Sequence, residues 1–164
     1  MRCLVATIAL AASGLAAATE YSDIQQLARD GKTAQALARI ERGIAKDPKD
    51  PQLRFLKGVI QTDSGKQVEA QQTFLALTRQ YPELPEPYNN LAAIYAHLNQ
   101  WDKAREALEM AVRLNPGYAV AYENLGDIYA RLAAEAYAKS SQLDAANPKL
   151  APKLAQVREL LLLK

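Results

Sequence analysis

The chain has 164 residues, 49% of them apolar, and a formal net charge of +2. That is enough for one compact domain and not comfortably two. Acidic and basic residues are interspersed without a run of one sign, so the clustered Lys and Arg that displace phosphate counterions are missing, which argues against nucleic acid as a partner.

The first predicted element is a targeting segment. Arg2 supplies a positive start, Leu4 to Ala12 is almost wholly apolar, and Ala16, Ala17 and Ala18 offer small residues at a cleavage site. A membrane anchor is the alternative, but the apolar run falls short of the ~20 residues a spanning helix needs, and Thr7, Ser13 and Gly14 interrupt it. We therefore expect a signal peptide over 1–18, cleaved near Ala18, and a mature chain that starts at Thr19. The single cysteine, Cys3, precedes the apolar stretch, the wrong place for a lipoprotein cysteine. Its removal leaves no thiol for disulfides, thiolate metal sites or thiol catalysis. A short Ala-rich signal on a cysteine-free helical chain points to the bacterial periplasm, with no stable membrane insertion after cleavage.

From residue 19 onward the sequence repeats every 34 residues. Pro48, Pro82 and Pro116 share that interval, as do Gly31, Gly65 and Asn99. So do Ala36, Ala70 and Ala104, and then Ile40, Phe74 and Leu108. A fixed period of this length means one supersecondary unit stacked repeatedly, and such stacks present binding surfaces more often than catalytic sites. The units fall at about 19–50, 51–84, 85–118 and 119–148.

The third unit is the clearest. Tyr88, Leu91, Ala92 and Tyr95 recur at steps of three and four and share one helical face. Asn99 tolerates the left-handed conformation that ends a helix, and Trp101 is read into the turn. Asp102 opens a second helix whose inner face carries Ala104, Leu108 and Ala111, and Pro116 stops it. The result is an antiparallel helical hairpin with Ala92 and Ala104 at the crossing.

These residues resemble the tetratricopeptide repeat family, whose pattern reads here as Tyr88, Leu91-Ala92, Tyr95, Ala104, Leu108, Ala111 and Pro116. The fourth unit opens similarly with Tyr122, Leu125-Gly126 and Tyr129. The first keeps Ile24, Leu27, Gly31, Ala36, Ile40, Gly43 and Pro48. The second keeps Gly58, Gly65, Ala70, Phe74 and Pro82, but puts Arg54, Lys57 and Gln61 at usually apolar positions, so its first helix is expected to be rotated or more weakly packed. The resemblance covers residues 20–148 and implies an all-α solenoid of about four helix pairs over 19–164.

At the end the pattern changes. Arg131 to Lys139 lacks Gly, Pro, Asn and Asp, and an apolar face continues through Tyr129, Leu132, Ala133, Ala136 and Leu143. This predicts one long helix over 119–146 rather than a hairpin, which is the competing reading. Pro152 suits the first turn of a final capping helix, about 152–163, with Leu154, Val157 and Leu161 as its inner stripe. Leu160 to Leu163 exceeds what a cap needs and offers a route to homo-oligomerisation.

In this family the first helices line a concave face that holds peptides or partner segments. The resemblance carries that role to Tyr21 and Gln25 in the first unit and to Phe55, Val59 and Asp63 in the second. Asn89, Asn90, Ala93 and His97 follow from the third unit, and Glu123, Asn124, Asp127 and Arg131 from the fourth. Asn90 and Asn124 match the asparagines of members that clamp a peptide carboxylate; a purely structural role is the other reading. The lysine slots of that clamp hold Tyr21, Phe55, Asn89 and Glu123, so the clamp itself is not implied. We expect a groove with an apolar anchor point at Phe55 and Val59 and a place for a basic group at Glu123 and Asp127.

His97 is the only histidine, and no phosphate-cradling glycine run or serine–histidine arrangement is present, so no cofactor, metal or catalytic residue is expected. The chain reads as a non-enzymatic scaffold for a protein or peptide partner of the cell envelope. The stretch Pro82 to Leu91 is similar to repeat regions of larger envelope proteins, and so supports an alternative, an accessory subunit or separated module of a peptidoglycan-remodelling enzyme system.

Overall fold

The computed structural model describes residues 19–162, and every regular element among them is an α-helix. In chain order these are α1 (19–29), α2 (Thr33–Lys46), α3 (Pro51–Asp63), α4 (Gln67–Gln80), α5 (Pro85–His97), α6 (Trp101–Leu114), α7 (Ala119–Leu143) and α8 (Leu150–Leu160). None of them is long and apolar enough to cross a membrane. The signal-peptide expectation for 1–18 lies outside the described residues.

The 34-residue punctuation has a direct backbone meaning. Gly31 and Gly65 sit at φ 74° and 76°, and Asn99 at φ 56°. A side chain with a Cβ resists this left-handed region, which is why glycine and asparagine recur there. The three turns close alike. Lys32, Lys66 and Gln100 donate their N–H to the carbonyls of Leu27, Gln61 and Tyr95, five residues back, at 2.8–2.9 Å. The preceding N–H groups of Gly31, Gly65 and Asn99 reach Ala28, Thr62 and Ala96 at 3.0 Å. This paired pattern satisfies the orphan carbonyls of a helix end and turns the chain back.

The fourth slot in that series is Ala133, which lies inside α7. No turn forms there, and α7 runs 25 residues to a cap at Asp144, as one long helix.

Two compact units divide within α4, after Thr73. In the first, Ile24 of α1, Ala36 and Ile40 of α2, and Leu53, Leu56 and Ile60 of α3 form one buried cluster. Gly43 of α2 lets α3 approach closely, since a Cβ there would lie 2.6 Å from Leu53 Cδ1. Asp50 caps α3, and Pro51 occupies its first position, where no N–H is needed.

The polar residues expected to loosen α3 do not. The helix buries Leu53, Leu56, Ile60 and Gln61. Arg54 Nη2 donates to the Pro48 carbonyl at 2.7 Å, and Lys57 pairs with Glu41 at 2.5 Å. Gln61 Oε1 accepts the Thr73 hydroxyl at 2.7 Å, so the buried amide has a partner. Hydrogen bonds replace the usual apolar contacts, and the helix stays seated.

In the second unit α5 packs on α6, α6 on α7, and α7 on α8. Ala92 and Ala104 are 1% and 0% exposed, as the small pair at the helix crossing should be. Tyr88 donates its hydroxyl to the Pro82 carbonyl at 3.3 Å, repeating with a phenol what Arg54 does with a guanidinium.

Three side-chain expectations change here. Trp101 is the first residue of α6 and not part of the turn. Tyr129 and Leu143 were expected on the inner face of α7 but are 47% and 76% exposed. The buried stripe is instead Ala121, Leu125 and Ile128, with Leu132 half-buried. Its steps of four, three and four follow the helical period, and Tyr129 falls one position, about 100°, off it. On α8, Leu150 is buried and Leu154, Val157 and Leu161 are half-buried, whereas Leu160 and Leu162 face solvent.

Candidate functional site

The candidate residues come from α1 and α3 in the first unit. Gln25 and Asp63 are exposed, Val59 is half-buried, and all three line one cleft of about 490 Å³. Ala28, Leu56 and Ile60 supply an apolar floor, and Arg29 and Ser64 stand at the rim. Phe55, the other half of the expected apolar anchor, is half-buried on α3 but does not line this cleft.

Tyr21 has a structural task. Its hydroxyl donates to Asp50 Oδ2 at 2.5 Å, while Asp50 Oδ1 accepts from the backbone N–H groups of Gln52 and Leu53. Burial, and after it the bond to Asp50, pushes the Tyr21 phenol up to about 12. One carboxylate thus ties α1 to the start of α3.

In the second unit α5 and α7 carry the remaining candidates. Ala93, His97 and Glu123 are exposed, and Asp127 is half-buried. Both asparagines are engaged: Asn90 Nδ2 donates to the Glu86 carbonyl, and Asn124 Nδ2 to Asn89 Oδ1, each at 2.9 Å. The Asn124–Asn89 bond ties α7 to α5, whereas the Asn90 bond stays within α5. Arg131 lies 5.2 Å above the Trp101 ring, a cation–π contact that holds α7 to the start of α6.

One charged cluster escaped sequence reasoning. Glu109 accepts from Arg105 Nη1 at 2.9 Å and from the Tyr129 hydroxyl at 3.1 Å. The Arg105 bond holds the Glu109 carboxyl below the usual glutamate range. The pair Arg105 and Glu109, four apart on one helix, was visible in the sequence as a neighbouring pair. The arrival of Tyr129 from α7 was not. Among the described residues, no three His, Cys, Asp or Glu side chains come together as metal ligands would.

Two family profiles, both described as Tetratricopeptide repeat, match residues 27–93 and 85–118. Residues 27–118 belong to the tetratricopeptide repeat family.

Among curated proteins, this repeat chain is similar to the Tetratricopeptide repeat domain-containing protein PYG7, chloroplastic, of Arabidopsis thaliana, with 45% identity over 47 residues. The match takes in 29% of this chain and 16% of that protein's length. Among solved structures, the first tetratricopeptide repeat domain of Spaghetti (RPAP3), bound to the HSP90 peptide SRMEEVD, superposes with a TM-score of 0.64 at 20% identity, over 71% of this chain and 93% of that one. The crystal structure of MamA gives 0.61 at 21% identity, over 83% and 82%. The thermophilic repeat protein TTC0263 of Thermus thermophilus gives 0.61 at 23% identity, over 85% and 79%. These likenesses establish a tetratricopeptide solenoid fold. The left-handed turn residues and the paired alanines are where this chain meets the repeat pattern, and α7 is where it departs.

Proposed function

We propose that the chain is a non-enzymatic scaffold of the bacterial cell envelope that binds a partner protein, or a peptide segment of one, along its first helices. The observation that carries this is the cleft between α1 and α3, where Gln25, Val59 and Asp63 meet on an apolar floor. Core packing uses the other faces of these helices, so these side chains remain available to a partner. A preformed surface loses little ordering entropy when a partner docks. The envelope location rests on the leader read in 1–18.

The partner's chemistry differs from that of the peptide in the RPAP3 complex. That peptide, SRMEEVD, ends in acidic residues. Here the equivalent slots hold Tyr21, Phe55, Asn89 and Glu123, and Tyr21 and Asn89 are committed to neighbours within the fold. On this reading the first unit offers Val59 in the cleft, with Phe55 outside it on the same helix, as apolar contacts, and the second unit offers Glu123 and Asp127 as acidic ones.

Crosslinking pulldown from periplasm tests the reading, with wild type beside Phe55→Ala/Val59→Ala and Glu123→Ala/Asp127→Ala. The scaffold reading requires specific partners that at least one double variant loses. Recovery unchanged in both would refute it, and a parallel arm with muropeptides shows whether cell-wall fragments are bound or turned over instead.

A further inference from the structure

The cleft of the first unit lies where two first helices end. Ala28 and Arg29 of α1, and Asp63 with the following Ser64 of α3, all border it. A helix C-terminus carries partial negative charge, so a base there is favourable and an acid unfavourable. The slot follows that rule at the ends of α1 and α5, where it holds Arg29 and His97. In α3 it holds Asp63, and the last turn of α3 has no basic residue.

Nothing in the fold offsets this reversal. The Asp63 carboxylate makes no hydrogen bond or ion pair among the described residues. Arg29, which also borders the cleft, turns back to Gln26, with Nε and Nη2 at 3.3 and 2.9 Å from Oε1. Three of the last four carbonyls of α3 are already used, since Ser64, Gly65 and Lys66 donate to Ile60, Thr62 and Gln61. What remains at the rim is a carboxylate with both oxygens open, in the field of a helix end, beside an apolar floor.

We propose that this cleft is a recognition site for an arginine side chain of a partner segment. The guanidinium pairs with both oxygens of Asp63, a fork geometry that lysine lacks. Its aliphatic stem lies along Leu56, Val59 and Ile60, as long cationic side chains do on apolar surface. The volume, about 490 Å³, leaves room for an apolar neighbour of the arginine. Asp63 is exposed, so the partner's guanidinium replaces water at its oxygens. This proposal deepens the scaffold reading and rests on it.

The test uses acetyl-Ala-Leu-Arg-Leu-Ala-amide, its neutral citrulline counterpart and its lysine counterpart, titrated into the ¹⁵N-labelled chain. The arginine peptide should shift amide resonances of residues 25–33 and 56–64, and bind at least tenfold more tightly than either counterpart. Asp63→Asn should abolish that preference while keeping a folded spectrum and an unchanged or higher melting temperature. Equal binding of the three peptides, shifts confined to other residues, or no binding would overturn the proposal. In the periplasmic crosslinking, capture that survives Asp63→Asn but not Phe55→Ala/Val59→Ala refutes the arginine site and leaves the scaffold standing. Capture that survives every variant refutes both.

Discussion

Gly43 and Gly126 should respond to the same alanine substitution with opposite signs. Both lie inside helices, so each alanine gains about 1 kcal/mol from reduced backbone freedom in the unfolded chain. At Gly126 a Cβ would meet nothing within 4 Å, and the gain stands alone. At Gly43 it would lie 2.6 Å from Leu53 Cδ1 and 3.7 Å from Cδ2. Leu53 is 3% exposed, so its methyl groups have no solvent to swing into. Overpacking of this kind costs roughly 1–3 kcal/mol, which leaves Gly43→Ala destabilised by about 0–2 kcal/mol. The separation between the two variants is the overpacking itself, about 2 kcal/mol, or roughly 4–8 °C in melting temperature for a chain of this size. Thermal melts followed by circular dichroism at 222 nm would measure it. Leu53→Ala adds a check, because it should cost clearly less in the Gly43→Ala background than in wild type. Equal shifts at the two glycines, or additive effects at Gly43 and Leu53, would refute the close approach of α2 and α3.

Gly65→Ala should cost about 1–2 kcal/mol in urea melts because φ is positive there, whereas Asn99→Gly, in the equivalent turn, should be neutral or stabilising. Tyr95→Ala should cost about 2 kcal/mol, below the range for a fully buried aromatic, and Tyr129→Ala less than about 1 kcal/mol, since that ring is 47% exposed. A reversed order would mean that α7 is rotated about its axis, with Tyr129 turned inward. The Tyr21 phenol, raised to about 12, holds its proton more tightly in the folded chain than in the unfolded one, where the value is about 10. Its contribution is complete below pH 10 and is lost as pH rises towards 12. In a phenolate absorbance titration, Tyr21→Phe should therefore remove a component at the alkaline end; loss of a component near pH 10 instead would count against the bond to Asp50.

How much of this could be read from the sequence depended on whether a residue's backbone or its side chain carried the information. Gly31, Gly65 and Asn99 mark turns because few residue types tolerate a left-handed backbone, so their 34-residue spacing located three hairpins. Ala92 and Ala104 were legible for a similar reason: a small residue at a crossing is a local requirement. Asp50 did not enter the sequence reading, and its two uses, as the cap of α3 and as the acceptor for Tyr21, came from the fold. Long polar side chains were opaque. Arg54, Lys57 and Gln61 look destabilising in a helical stripe, yet each reaches a partner that no spacing rule names. The candidate site suffered likewise. Family position marked Tyr21, Asn89, Asn90 and Asn124 as surface for a ligand; what it did not show is that Tyr21 reaches Asp50, that Asn124 reaches Asn89, and that Asn90 bonds within its own helix.

The same reasoning explains why the fourth unit is not a fourth hairpin. A turn at position 133 would force Ala133 into the left-handed region, at about 1–2 kcal/mol, and would give up helical hydrogen bonds on either side. Continuing the helix avoids both, and the residues that follow are good helix formers. The apolar face of the extension then needs cover, and α8 provides it with Leu150, Leu154, Val157 and Leu161 packed on α7. One residue in a turn slot thus separates two architectures, and the sequence downstream is consistent with the longer helix alone. Tyr129, displaced from the buried stripe of α7, becomes a surface tie to Glu109 of α6, and that is why an aromatic at a family core position is found half in solvent.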